Sequence, residues 1–485
     1  MIHDLLIVGG GINGCAIARE AALNGWRVLL VERDDLASHT SSASTKLIHG
    51  GLRYLEYYDL PLVAEALRER ERLVVAAPHI IRPMRFVLPH ENTVRPWLMV
   101  RAGLLLYDRL GGRSSLPRSR GLRRGDSAYR APLKGDPSGF VYSDAYVDDS
   151  RLTLLNAVDA AENGAEIATR TALTGARREG EVWRATLSDG REIKARALVN
   201  AAGPWVSETL ALTGVNARAG VRLIKGSHIV VPRLYAGDHA YILQQPDRRI
   251  VFATPYAEGT AIGTTDIAVD RPEDAAIDAD EMVYLCQAAN RSFIRQVEPR
   301  DITSAWSGVR PLYDDGAGAA AEVTRDYVLE LDCAGPALLS VFGGKITTAR
   351  HLAEEAVGKL APALDRHALP VTRARAFPGG EMASFADFLT KARATWPWLG
   401  EARTLRMARA YGTRLGGLLG DADSEVALGE AFGAGLSECE ARWCHDREWA
   451  RSPEDVLERR TKLGLAMTAD EQARFADWWR ATYPD

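Results

Sequence analysis

The chain begins with a turn that few folds can use. A short apolar run, Leu5 to Val8, breaks into Gly9-Gly10-Gly11-Ile12-Asn13-Gly14, in which Gly9, Gly11 and Gly14 fit G-x-G-x-x-G. An alanine-rich helical stretch follows, then a second apolar run, Val28 to Val31, closed by Glu32. Strand, glycine turn, helix, strand and terminal acid make a dinucleotide-binding βαβ unit. The glycines let the backbone, through Ile12 and Asn13, approach a pyrophosphate whose charge sits on the helix N-terminus. Glu32 stands where a carboxylate accepts hydrogen bonds from an adenosine ribose. It would repel a 2′-phosphate, which disfavours NADP. The motif alone leaves NAD and FAD both open.

At 485 residues the chain exceeds one ordinary core, and two or three domains are expected. The 60 basic and 64 acidic side chains leave a formal charge of −4, which argues against wholesale nucleic-acid binding. The first βα unit starts almost at Met1, leaving no room for a basic-then-apolar signal segment. No apolar run approaches the ~20 residues needed to cross a bilayer. The five cysteines are scattered and odd in number, as in a reducing compartment. Cys439 and Cys444 lie beside His445, but no second ligand pair follows, and no metal is expected.

Periodicity predicts helices over Leu62 to Val75 and Asp149 to Asn163, the second with Asp148 and Asp149 as capping acids. Residues 76 to 141 read as irregular and rich in Pro and Arg. Trp183 to Leu187, Glu192 to Ala195 and Leu198 to Asn200 read as strands, the last running into Ala201-Ala202-Gly203-Pro204. Residues 221 to 270 hold short β-like runs: Ile229 to Val231, Tyr241 to Leu243 and Ile250 to Ala253. Leu338 to Phe342 is a further buried strand, turning at Gly343-Gly344-Lys345 into a helix from about Thr347 to Leu360. That return to a glycine turn at a helix start predicts a nucleotide domain that is discontinuous in sequence. Beyond Pro378-Gly379-Gly380 the chain reads as helical and charged.

The densest chemistry lies in Thr40 to Tyr54, T-S-S-A-S-T-K-L-I-H-G-G-L-R-Y. Small hydroxylated residues such as Thr40, Ser41, Ser42 and Ser44, with Lys46, can hydrogen-bond a flat cofactor. His49 can exchange a proton near neutral pH, and Arg53 presents a donor fork suited to phosphate or carboxylate. Ser307-Gly308-Val309-Arg310-Pro311, with Thr324-Arg325-Asp326 following, forms a second set, and Gly343 to Thr348 a third. The free N–H groups at the last helix start would stabilise negative charge on a ring lying across the strand ends.

Together these segments resemble the FAD-dependent, quinone-linked glycerol-3-phosphate dehydrogenases of the D-amino-acid-oxidase-like superfamily. The resemblance also runs through Pro83-Met84-Arg85-Phe86, Tyr146 to Asp149, Gly203 to Val206, Ile224 to Pro232 and Gly263 to Asp266, and covers roughly residues 3 to 380. It implies an α/β chain with a discontinuous, glutathione-reductase-like Rossmann FAD domain over 1–75, 142–205 and 335–378. A mixed or antiparallel β-sheet substrate domain would occupy 76–141 and 206–334, and a helical C-terminal domain 381–485. The resemblance implies non-covalent FAD held by Gly9, Gly11, Ile12, Asn13, Gly14, Glu32, Thr40, Ser41, Ser42, Ser44, Lys46, Gly203, Gly344 and Thr347. It also implies sn-glycerol 3-phosphate as substrate, lined by His49, Arg53, Tyr54, Arg310, Arg325 and Lys345.

Residue chemistry agrees with a dianionic substrate, for which Arg53, Arg325 and Lys345 could supply cations. His49 is the expected base, its ordinary pKa being near 6.5. Arg310 is expected to stabilise developing alkoxide charge, because a guanidinium stays protonated. The resemblance further implies ubiquinone or menaquinone as electron acceptor, a monotopic seat on the cytoplasmic face of the inner membrane, and a homodimer. Trp97 to Val100 and Leu104 to Tyr107, fringed by Arg95, Arg101, Arg109 and Arg113, suit a helix lying in a headgroup layer. A glycerol-3-phosphate oxidase using oxygen, another oxidase of the same superfamily, and a flavoprotein without catalysis are the alternatives.

Overall fold

The computed structural model describes residues 1–90, 96–215, 220–247, 249–314 and 326–484, and for Arg53, Glu56 and Tyr57 the backbone only. The expected Arg95, Thr324 and Arg325 therefore fall outside the described residues, as does the side chain of Arg53.

Two sheets organise the described chain. The first has the order Val328–Asp332, Ala337–Phe342, Glu192–Asn200, Ile2–Val8, Val28–Val31, Glu166–Ala168. Its central pairings are parallel, as Leu5 with Ala197 and Leu5 with Val28. Strand Ile2–Val8 is continuously apolar from Leu5 because both its faces are covered. On one face lies helix Ile12–Leu23, whose Ala16, Ala18, Ala21 and Ala22 are buried. Small side chains let the helices Asp149–Glu162 and Ala349–Leu360 share one core with it. Arg19 is buried in that layer, with Nε 2.7 Å from Asp159 and its guanidinium 3.9 Å over the Phe377 ring.

The second sheet is mixed. Strand Gly220–Pro232 pairs antiparallel with Gly259–Gly263 and with Ser304–Asp314, and Ala240–Gln244 pairs parallel with Ile81–Pro89. Helix Ala279–Ser292 covers one part of it through Leu285, Ala288 and Ala289, and begins at a reciprocal cap between Asp278 and Glu281.

Several boundaries differ from the sequence reading. Residues 76–141 are not simply irregular, since they hold strand Ile81–Pro89 and helix Trp97–Leu110. Strand Gly139–Val147 pairs with Ile81–Pro89 along its whole length, so it belongs to the second sheet and not the nucleotide sheet. Strand Val328–Asp332 goes the other way, joining the first sheet at its edge. Glu192 to Ala195 and Leu198 to Asn200 are one strand, Glu192–Asn200, because its second half is buried between strands Ile2–Val8 and Ala337–Phe342. The last nucleotide-domain helix begins at Ala349, after a turn in which the Thr348 amide donates to the Lys345 carbonyl.

The C-terminal region is helical, including Phe385–Thr395, Glu401–Tyr411, Glu438–Glu448 and Ala469–Thr482. Buried ion pairs fasten it to the nucleotide half: Arg460 to Asp35 at 2.5 Å and Arg151 to Glu448 at 2.7 Å. Lys462 adds a pair to Asp148, the cap of helix Asp149–Glu162. Among the described residues no helix is long and apolar enough to cross a membrane. No cluster of three or more His, Cys, Asp or Glu side chains able to hold a metal ion occurs among them.

Candidate active site

Two glycine turns face each other at the ends of the first sheet's parallel strands. At Gly9, φ is +114°, and an added Cβ would lie 2.5 Å from the Ala201 carbonyl oxygen. At Gly14 it would lie 1.9 Å from the Gly9 oxygen, so only bare backbone lets helix and strand approach. Gly344, at φ +98°, would meet the Asn13 amide nitrogen at 2.7 Å. Asn13 joins the turns by donating from Nδ2 to the Gly343 carbonyl at 3.1 Å. Its Oδ1 is buried without a hydrogen-bond partner among the described residues. A cleft lined by Gly9, Gly11, Asn13, Glu32, Gly203 and Gly344 runs between these turns. Cradle, orphaned amide oxygen and acid fit an extended dinucleotide.

The Glu32 carboxylate has local work as well. It accepts the Gly10 amide at 2.6 Å and the Asp34 amide at 2.8 Å, and burial raises its pKa. Each oxygen keeps a further lone pair for a ribose hydroxyl. Thus the acid at the strand end fastens the first glycine turn.

The hydroxyl-rich loop is more internally bonded than expected. The Ser41 hydroxyl accepts the Ile12 amide at 2.9 Å, Thr40 donates to the Val309 carbonyl at 2.7 Å, and Ser42 donates to the His39 carbonyl at 3.2 Å. Ser44 and Lys46 need correction as cofactor ligands. Ser44 donates to Asp149 Oδ2 at 2.7 Å, and buried Lys46 Nζ reaches Asp149 Oδ1 at 2.8 Å and the Ser42 carbonyl at 2.8 Å. Ionised partners in a buried pair hold each other, which makes this cluster a fastener for the loop. Asp149 was expected to cap its own helix. Of the two expected capping acids, Asp148 is the one whose side chain caps the helix, accepting the Arg151 amide.

Three expected residues converge at the second turn. Lys345 Nζ lies 4.1 Å from the Tyr54 ring centroid, and it is buried with no hydrogen-bond acceptor among the described residues. Gly51, at φ +73°, packs beneath the Tyr54 ring. The His49 amide donates to the Thr347 hydroxyl at 3.4 Å, so Thr347 holds the backbone of the loop. Burial, then the charges of Lys345 and Arg70, push the His49 imidazole down to about 4. The ring is therefore neutral at pH 7. Its Nδ1 accepts the Gly51 amide at 3.0 Å, which places the ring proton on Nε2. In this geometry His49 offers an N–H donor at Nε2, and it accepts a proton there only when the Gly51 bond is given up.

Arg310 stands on strand Ser304–Asp314 and is aimed by Thr265 and Asp266, donating to the Thr265 carbonyl at 3.0 Å and to the Asp266 carboxylate. Its strand neighbour Pro311 places a carbonyl 3.6 Å from the Gly343 Cβ position. One buried group on this sheet was missed. His228 Nε2 lies 3.0 Å from the Thr45 hydroxyl, its ring stacks on Trp306 at 5.0 Å, and burial with Lys46 and Arg310 lowers its pKa to about 3. The sequence signal was available, since His228 falls inside the Ile224 to Pro232 segment.

Comparison with known proteins agrees with this geometry. The family profile DAO, FAD dependent oxidoreductase, matches residues 4–350. A glycerol-3-phosphate dehydrogenase of Pseudomonas aeruginosa is 49% identical over 100% of this chain and 96% of its own. A D-erythritol 1-phosphate dehydrogenase of Brucella abortus is 47% identical over 98% of this chain and 97% of its own. The crystal structure of a glycerol-3-phosphate dehydrogenase from Bacillus halodurans complexed with FAD superimposes with a TM-score of 0.76 at 25% identity, covering 99% of this chain and 94% of that one. Facing glycine turns, a buried acid at the strand end and a family profile spanning both sheets lead to one conclusion: the chain belongs to the FAD dependent oxidoreductase family.

Proposed function

We propose that this protein oxidises sn-glycerol 3-phosphate to dihydroxyacetone phosphate and passes the electrons to a membrane quinone, ubiquinone or menaquinone. The observation that carries the reading is the Lys345 ammonium, buried beside Tyr54 and His49 with no hydrogen-bond acceptor among the described residues. A buried cation without an acceptor is costly unless an anion completes it, and a phosphate monoester supplies that anion. Bound FAD supplies the acceptor for the hydride that leaves C2.

The chain's own residues handle the rest. Lys345, with Arg53 and Arg325 by family resemblance, binds the phosphate. Arg310 is held so that its remaining donors can stabilise charge growing on the C2 oxygen. His49 is the group proposed to meet the C2 hydroxyl and take its proton. That step exchanges the Gly51 hydrogen bond, at a cost of about 1 kcal/mol, for proton acceptance at Nε2.

The outer face of helix Trp97–Leu110 is the proposed membrane contact, on the cytoplasmic side of the inner membrane. Leu98 is 79% exposed and Met99 53%, with Leu105 and Leu106 also exposed, while Leu104 and Tyr107 on the inner face are buried. Arg109, in the last turn of the helix, and Arg113 and Arg118 just beyond it in sequence are exposed, and such cations complement anionic headgroups.

The test is anaerobic reduction followed by reoxidation. The yellow protein should bleach with sn-glycerol 3-phosphate and not with NADH, then recover with a quinone faster than with oxygen. Rapid recovery in oxygen with peroxide release would make it an oxidase. Faster bleaching by D-erythritol 1-phosphate would move the substrate to the longer polyol phosphate.

A further inference from the structure

Helix Trp97–Leu110 shows its apolar face to the outside, yet its inner face touches the loop that carries His49. The contact is polar and buried. The Tyr107 hydroxyl accepts the backbone N–H of Gly50 at 2.8 Å. It donates to the Asp144 carboxylate, whose two oxygens both lie at 2.9 Å. Arg70 completes the line, with Nη1 2.7 Å from Asp144 Oδ1 and 3.0 Å from the Ser143 carbonyl. Tyr107, Asp144 and Arg70 are 3%, 1% and 5% exposed, so no water shares these bonds freely.

Burial pushes the Asp144 carboxyl up to about 6, so at neutral pH it is ionised and the proton count allows only one polarity. A phenol has a single proton, which goes to the carboxylate, and the oxygen is left to accept the amide. Burial raises the Tyr107 hydroxyl well above its ordinary pKa, so it stays a donor. Amide, phenol, carboxylate and guanidinium thus form a chain of bonds that polarise one another in one direction.

What the chain holds is the backbone on which the His49 ring depends. Gly50 has no room for a side chain, because a Cβ would lie 2.6 Å from Leu67 and 2.8 Å from the Tyr107 oxygen. The next amide, Gly51, is the one that donates to His49 Nδ1. Displacement of Gly50 would carry Gly51 with it and release the ring. The charges acting on that ring are Lys345 on the substrate side and Arg70 behind it, the latter neutralised by Asp144.

We infer that Tyr107 is a positioning residue for His49, acting through the Gly50 amide, with Asp144 and Arg70 holding its hydroxyl in place. The inference rests on the reading of His49 as the residue that meets the substrate hydroxyl. None of the three is marked by a sequence motif, because they come together from helix Trp97–Leu110, strand Gly139–Val147 and helix Leu60–Ala76.

The test uses the FAD-loaded protein and Tyr107→Phe, with selectively labelled histidine followed by NMR and His49→Asn to assign the signal. Flavin content should stay near wild type. The rate of flavin reduction by sn-glycerol 3-phosphate should fall about tenfold while half-saturation changes less than about twofold, because a ring without its Gly51 anchor is no longer aimed at the substrate, a loss larger than the gain from no longer breaking that bond at each turnover. The His49 pKa should rise from near 4 towards its ordinary value, and Nδ1 should become partly protonated. Asp144→Asn should act in the opposite sense on that pKa, because it leaves Arg70 as an unbalanced cation. An unchanged His49 signal in Tyr107→Phe, whatever the rate, would overturn the inference, as would a rate loss that only follows flavin loss. If the wild-type flavin is not reduced by the substrate, the functional reading fails, and the NMR comparison still decides the link between Tyr107 and His49.

Discussion

The backbone N–H of Gly51 donates to Nδ1 of His49 at 3.0 Å, so the residue beside the second glycine turn presents its Nε2 as a donor. Burial and the nearby Lys345 keep that ring neutral down to about pH 4. The reductive reaction should therefore show no loss from His49 protonation between pH 5 and 8. Stopped-flow reduction across that range checks this, and an acid limb near 6.5 would mean that the ring is solvated.

Acid should destabilise the protein through its buried histidines. His79, buried near Arg151 and Arg409, and His228 are both held down to about 3, below the ordinary 6.5. Between those values the unfolded chain binds more protons than the folded one, so stability rises with pH and is lost as pH falls below 6.5. For His79 alone the loss at pH 5 is roughly 2 kcal/mol relative to neutral pH. Thermal unfolding at pH 5 and 7.5 measures it, and His79→Leu should flatten the dependence.

Lys345→Met should leave flavin bound but slow flavin reduction by the substrate by about a hundredfold, mostly through weaker phosphate binding. Titration with sn-glycerol 3-phosphate, followed by flavin absorbance, separates binding from rate. Activity equal to wild type would remove Lys345 from the pocket.

Gly14→Ala should lose FAD. The added methyl would sit 1.9 Å from the Gly9 carbonyl oxygen, and the glycine turn cannot give way without parting helix from strand. Gly25→Ala is the control, since nothing lies within 4 Å of its Cβ position. It has φ +75° and should cost only about 1 kcal/mol of backbone strain. Flavin content after purification distinguishes the two.

Lys46→Ala should destabilise the fold more than it alters the cofactor spectrum. It leaves buried Asp149 with a lost cation at 2.8 Å, a change on the order of 3 kcal/mol. Denaturant unfolding monitored by tryptophan fluorescence reads the loss. A shifted flavin spectrum with unchanged stability would return Lys46 to the cofactor.

Much of the first sheet was legible because its signals are local. A glycine turn between two apolar runs encodes backbone geometry within about thirty residues, and Gly9, Gly14 and Glu32 sit where that geometry puts them. The Gly343–Gly344 turn was legible for the same reason. Strand Gly139–Val147 was not read as a strand, and the expected bounds split it by placing 142–205 in the nucleotide domain, because local composition does not say which neighbour pairs with a segment. Its partner, Ile81–Pro89, lies in a stretch whose prolines and arginines hide a strand. Ser44 and Lys46 were misread on similar grounds. Their residue types suit a cofactor, and only the fold shows Asp149, more than a hundred positions away, taking both.

By itself the sequence determined the two glycine turns, the acid at the strand end and the class of cofactor they suit, since each depends on backbone freedom and charge at neighbouring positions. The tertiary structure decided which polar side chains remain for chemistry. Packing brings Asp149 to Lys46, Glu32 to Gly10, and Tyr107 to Gly50. Each such pair satisfies a buried donor that would otherwise be costly, while Lys345 Nζ, beside the Tyr54 ring, has no hydrogen-bond acceptor among the described residues and is the group proposed to receive the substrate phosphate.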